Sequence, residues 1–125
     1  MFAGIIQERG TIKKINKSSQ GVEIFIFAPK TFSKVKIGSS VSVNGVCLTV
    51  TEKSARVLKF ILMPETVERT TFITVHIDEA VGLETSLRAN DEIGGHFVYG
   101  HIDGRGKIVK LQSVNGAIIM IINVP

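Results

Sequence analysis

Apolar and polar positions alternate along the chain in short runs, and no segment of ten or more residues keeps a helical period. The pattern predicts an almost all-β chain cut by turns. Gly4 to Ile12 reads as a first strand bounded by glycines, Asn16 to Gly21 as a turn cluster, and Val22 to Phe27 as a second strand closed by Pro29. These make a hairpin with a loop of several residues, and Lys30 to Gly38 is a connection. Ser40 to Val50 is the third strand, interrupted by Asn44-Gly45, a pair that favours a tight turn or a bulge. After a polar turn at Glu52 to Arg56, Val57 to Met63 is a fourth strand ending at Pro64, and Glu65 to Thr70 fits one helical turn. Thr71 to Asp78 reads as a further extended run and Val81 to Leu87 as the next strand; Asn90-Asp91 turns the chain before Ile93 to Gly100. Short strands, frequent turns and glycines point to a small closed barrel.

The chain also repeats itself. Gly4 to Ile12 aligns with Gly100 to Ile108, sharing both outer glycines, the third-position isoleucine, the arginine and the final isoleucine. A glycine-initiated apolar strand follows each copy at the distance a hairpin needs, from Gly21 and from Gly116, and each ends near a proline, Pro29 and Pro125. Residues 1–97 then form a complete unit, and residues 98–125 open a second one with its first two strands. Such a hairpin leaves strand edges and an apolar face to be covered by its own barrel, a partner or a swap.

At 125 residues and 44% hydrophobic content the chain suits one domain with a sizeable core. The lone cysteine, Cys47, excludes an internal disulfide, and the absence of an apolar N-terminal run leads us to expect a cytoplasmic protein. The longest apolar stretch, Ala117 to Ile122, is too short to cross a bilayer as a helix. A net charge of +4 invites a nucleic-acid reading of an OB-like barrel, but the closest basic cluster, Lys13, Lys14 and Lys17, fits a solvated strand edge. Aromatics at 6% offer little for base stacking. We expect no nucleic-acid partner and no membrane. Cys47 itself reads either as a small buried hydrophobe or as part of a site.

Four stretches carry a resemblance: Met1 to Ile6, Val43 to Val50, Met63 to Thr66, and Asp91 to Gly104. Together they closely resemble the riboflavin synthase family of lumazine-binding barrels. The resemblance implies an all-β, six-stranded Greek-key closed barrel, with residues 98–125 belonging to an incomplete second barrel. In that family a chain carries two homologous barrels and a helix that assembles trimers. The reaction it implies is dismutation of two 6,7-dimethyl-8-ribityllumazine molecules into riboflavin and a pyrimidinedione, without metal or organic cofactor. The substrate ring acidifies its own methyl group, so the protein mainly orients two rings face to face and manages protons. The implied partners are a pteridine or flavin ligand and a further copy of the chain, a trimer in the full-length family or a dimer for a chain of this length. A non-catalytic, antenna-type carrier shares the same barrel.

By position, the resemblance makes Ser40, Cys47 and His101 proton-handling or nucleophile-positioning groups, His101 being the better proton carrier because imidazole exchanges protons near neutral pH. Leu48 and Thr49 match ligand contacts, and Glu65 and Thr66, with Met63 before them, match a Pro-Glu-Thr motif that reaches the ribityl end. Phe2, Gly4 and Ile6 match a segment that closes over a partner's site, and Ile102 lies near the paired ligands. The threonines serve β propensity or turns equally well, and His96, after two glycines, reads as structural. Thr71 to Ala80 departs from the family's glycine-containing loop, and Gly82 stands where asparagine is common.

Overall fold

A computed structural model describes residues 1–125. Strands β1 (Glu8–Ser18) and β2 (Gly21–Phe27) pair antiparallel with a register shift between Ile12 and Lys14. Their loop is tighter than the turn cluster predicted: Asn16, Lys17 and Ser18 stay paired, and only Ser19 and Gln20 turn. The predicted third strand is in fact two, β3 (Ser40–Val43) and β4 (Val46–Ser54), folded back at Asn44-Gly45. Both turn residues have positive φ, +50° and +85°, as the hairpin turn with right-handed twist requires. Strands β5 (Val57–Leu62) and β6 (Ala80–Thr85) complete a closed barrel in the order β1-β2-β5-β4-β3-β6, a Greek-key arrangement.

Alternation fills the interior. Ile24 and Ile26 of β2, Val41 and Val43 of β3, Leu48 and Val50 of β4, Leu58, Phe60 and Leu62 of β5, and Val81 and Leu83 of β6 share one core. Two connections hold structure that the pattern did not show. Helix α1 (Pro29–Lys34) occupies part of the predicted Lys30 to Gly38 connection, and the predicted extended run from Thr71 is a 3₁₀ turn over Thr71–Thr74 whose Phe72 enters the core. Helix α2 (Pro64–Arg69) forms where a single turn was expected, with Pro64 in its first turn, Glu65 near its N-terminus and Arg69 in its last turn, each suited to the helix dipole.

The first strand begins at Glu8 rather than Gly4, because the preceding residues are held elsewhere. The buried Glu84 carboxylate accepts the amides of Ala3 and Gly4 at 2.7 and 3.1 Å, and the Gln7 amide donates to the Leu83 carbonyl. Met1 to Gln7 therefore lies along β6.

Beyond the barrel, β7 (Lys107–Val114) and β8 (Ala117–Asn123) form a separate two-stranded sheet. Its pairing reproduces that of β1 and β2 residue for residue at an offset of 96 positions, from Lys107 with Asn123 matching Thr11 with Phe27 to Val114 with Ala117 matching Ser18 with Gly21. The register shift recurs between Ile108 and Lys110. So does a close approach: a Cβ on Gly10 would lie 2.8 Å from Ile26 Cγ2, and one on Gly106 would lie 2.7 Å from the equivalent atom of Ile122. Phe2 and Val98 stand the same 96 apart and form an isolated antiparallel bridge with reciprocal hydrogen bonds of 2.7 and 3.1 Å. Two equivalent residues paired in this way put a local two-fold axis between the opening segments of the two copies. No helix is long and apolar enough to cross a membrane.

Candidate functional site

Three parts of the chain converge on one cavity of about 220 Å³. Strand β4 contributes Val46 and Cys47, α2 contributes Glu65, Thr66 and Arg69 with Thr70 behind them, and the segment opening the second copy contributes Gly100, His101 and Ile102. The strand places Cys47 by alternation: Val46 and Leu48 turn into the core, while Cys47, half-buried, and Thr49, exposed, face outward. The Leu48 side chain, matched by the resemblance to a ligand contact, therefore packs inside the barrel on the opposite face from its two neighbours.

Gly100 locks the third wall to the strand. Its carbonyl accepts the Cys47 amide at 2.9 Å, its φ is +78°, and an added Cβ would stand 2.8 Å from the Cys47 nitrogen. Only glycine fits this position. Downstream, Ile102 packs against the barrel core, and the exposed His101 ring stands 6.4 Å from that of Tyr99. On α2 the Glu65 carboxylate accepts from Arg69 at 2.8 Å, and the Thr70 hydroxyl donates to the Thr66 carbonyl at 2.7 Å while accepting from the Phe72 amide. That last pair fixes the passage from α2 into the 3₁₀ turn.

The cavity thus gathers five of the residues expected from sequence: Cys47, Glu65, Thr66, His101 and Ile102. Others lie elsewhere. Ser40, paired with Thr49, lines a separate cavity of about 490 Å³ with Arg88 and residues at the end of α1. Met63, largely exposed, borders a third cavity beside Gln20 and Glu23. Phe2 is fully buried at its bridge to Val98, Gly4 is tied to Glu84, and Ile6 covers Gly82, where a Cβ would come 2.9 Å from Ile6 Cδ1. Sequence reasoning missed Arg69 and Gly100 as wall residues. Arg69 was signalled by its i,i+4 spacing from Glu65, and Gly100 by its match to Gly4 in the repeat.

A cavity this small falls below the ~300–1,000 Å³ usual for small-molecule pockets, so a planar ligand held here keeps one face open. The apolar Ile102, the Cys47 thiol, the His101 imidazole and the ion-paired Glu65 carboxylate can together orient a heteroaromatic ring and move protons at its rim. No group of three His, Cys, Asp or Glu side chains is placed to hold a metal ion.

Comparison with known proteins agrees with this architecture. Riboflavin synthase of Bacillus amyloliquefaciens is 41% identical over 118 residues, 94% of this chain and 55% of its own length. Riboflavin synthase of Chlamydia trachomatis is 42% identical over 112 residues, 90% of this chain and 56% of its own. The chain spans about half the length of the curated relatives it matches. Among solved structures, LumP complexed with riboflavin superposes with a TM-score of 0.86 at 29% identity, and LumP complexed with 6,7-dimethyl-8-(1'-D-ribityl) lumazine with 0.83 at 29%. Both superpositions cover the whole of this chain, and 68% and 67% of the respective structures. The family model for the lumazine binding domain matches residues 3–86, the span that builds the closed barrel, and the chain belongs to that family.

Proposed function

We propose that the barrel binds a pteridine bearing a ribityl chain, 6,7-dimethyl-8-ribityllumazine or riboflavin, in the cavity between β4, α2 and residues 100–102. The observation that carries this reading is the Cys47 amide bound to the Gly100 carbonyl, which makes one ligand wall from the segment that opens the second copy. In this reading the ring edge lies along Cys47 and Gly100, Ile102 covers part of one ring face, and Glu65 and Thr66 meet the ribityl hydroxyls. Cys47 and His101 are the groups at hand to take and return protons. The identity to riboflavin synthases and the ligands held by the LumP structures support the assignment.

The reaction we assign is the transfer of a four-carbon unit from one lumazine to a second, giving riboflavin and a pyrimidinedione. It needs two rings face to face, and the open face of a shallow site permits that when a second loaded site, from another copy or a second barrel, is brought opposite. A carrier that holds one ligand without turnover uses the same cavity, and the single cavity of this kind in one chain favours that reading for an isolated copy.

Riboflavin titration followed by fluorescence, with product formation from lumazine measured across a wide range of protein concentration, tests both readings. Binding together with a rate that rises as the square of protein concentration is the expected result. Binding without product at any concentration leaves the carrier, and no binding of either ligand removes the proposal.

A further inference from the structure

Glu84 is a buried carboxylate that lines no part of the ligand cavity. Strand alternation turns its neighbour Leu83 into the core and Glu84 outward, yet Glu84 is covered, because the Ala3-Gly4 backbone sits against it. No cation pairs with it. Its partners are two successive backbone amides: Ala3 donates to Oε1 at 2.7 Å, and Gly4 donates to both oxygens at 3.1 and 3.2 Å. The φ of +83° at Gly4 lets consecutive amides converge on one anion. Such charge-assisted bonds are roughly twice as strong as neutral ones.

From this clamp a short path leads to the ligand wall. Between Ser86 and Gly100 the backbone is hydrogen-bonded to the rest of the chain at Leu87, Val98 and Gly100 alone: the Leu87 amide donates to the Met1 carbonyl at 3.0 Å, Val98 exchanges two bonds with Phe2, and the Gly100 carbonyl accepts from Cys47. Met1 and Phe2 belong to the segment that Glu84 holds. Gly4 and Gly100, equivalent in the repeat, have nearly the same φ, +83° and +78°, and each ties the opening segment of its copy to the barrel, Gly4 to β6 and Gly100 to β4. The bridge between Phe2 and Val98 joins the two anchors.

Resting on the ligand reading above, we infer that Glu84 is a positioning residue for the ligand cavity: its carboxylate fixes Met1 to Gly4 and, through the bridge from Phe2 to Val98, holds Gly100, His101 and Ile102 against β4. It acts through the backbone and touches no ligand.

Amide hydrogen exchange and riboflavin titration by fluorescence, both on the full chain carrying Glu84→Gln, test the inference. The Cys47 amide, whose acceptor is the Gly100 carbonyl, exchanges about fivefold faster in this variant while the β5 amides keep their protection. Riboflavin binds about fivefold more weakly, and adding Glu84→Gln to Gly100→Ala costs no further affinity, since a wall already released has nothing left to lose. Where Glu84→Gln does not fold, Glu84→Asp, which keeps the charge but draws it back from the two amides, gives the same pattern. A Cys47 amide that exchanges at the parent rate, or that speeds only in step with those of β5, overturns the inference, as do additive losses in the double variant. A faster Cys47 amide in a chain that binds no riboflavin upholds the hold of Glu84 on residues 100–102 and overturns the ligand reading instead.

Discussion

Gly100 shows how one residue without a side chain sets the geometry of a site. Its positive φ lets the backbone double back so that its carbonyl meets the Cys47 amide, and the absence of a Cβ lets the two backbones touch. Gly100→Ala adds left-handed strain of about 1–2 kcal/mol and costs the hydrogen bond a further ~1 kcal/mol. Relief comes by moving residues 100–102 away from β4, which opens the cavity and leaves the barrel closed. Riboflavin affinity is therefore expected to fall by about tenfold or more while the melting temperature drops by several degrees and the barrel stays folded. An unchanged Kd in a fluorescence titration would contradict the assigned wall. At this scale the sequence is informative about identity more than direction: Cys47 and His101 line one cavity, yet Leu48, matched to a ligand contact, turns inward because strand alternation decides where a side chain points.

Among the elements, α1 is the one that local patterns hid. Its N-cap is Ala28, which offers no side-chain acceptor, and Pro29 reads as the end of a strand. The capping groups come from distant strands instead. Glu8 on β1 accepts the Lys30 and Thr31 amides at 3.0 and 2.6 Å, and Lys53 on β4 donates to the Phe32 and Val35 carbonyls at 2.8 and 2.6 Å with its ammonium over the Phe32 ring. A six-residue helix is marginal by itself, so it exists here because the closed barrel presents a carboxylate to one end and an ammonium to the other. Burial alone would raise the Glu8 pKa, but hydrogen bonds from Lys30 and Thr31 and the Lys30 charge outweigh it and hold the carboxyl below its ordinary 4.5. A depressed folded-state pKa means that the charged cap stabilises fully above that ordinary value and that the contribution is lost as pH falls through the lowered one. Glu8→Gln is expected to cost about 1 kcal/mol at neutral pH. In urea unfolding at a series of pH values, the gap between the two proteins should close on the acid side of pH 4.5; a gap constant down to the acid limit would show that the charge plays no part. By contrast, α2 was visible in the sequence because its proline, glutamate and arginine lie within the helix itself.

For the molecule as a whole, the repeat was legible before any coordinate, since five matched residues at one offset mark equivalent strands, and the hairpin pairing follows that offset throughout. What the repeat did not disclose is that its second copy serves the first barrel at two levels. Val98 bridges Phe2, residues 100–102 wall the cavity beside β4 and α2, and Ile102 packs on the core, whereas the β7-β8 hairpin pairs only within itself. Ile118, Met120 and Ile122 occupy the positions of Val22, Ile24 and Ile26, which are core in the first barrel, and all three are exposed. An exposed apolar strand of this kind marks a surface on which association is expected. The two roles separate by truncation. A chain ending at Lys107 keeps the six-strand closure through β1 and β6 and all three walls, so it is expected to melt near the parent temperature, bind riboflavin with the parent Kd and lose concentration-dependent self-association in sedimentation. A chain ending at Phe97 also keeps the closure but lacks Gly100, His101 and Ile102, so it should fold with a modest loss of stability and bind riboflavin at least about tenfold more weakly. Equal binding by the two truncated chains would mean that the barrel alone holds the ligand and that the second copy contributes nothing to the site.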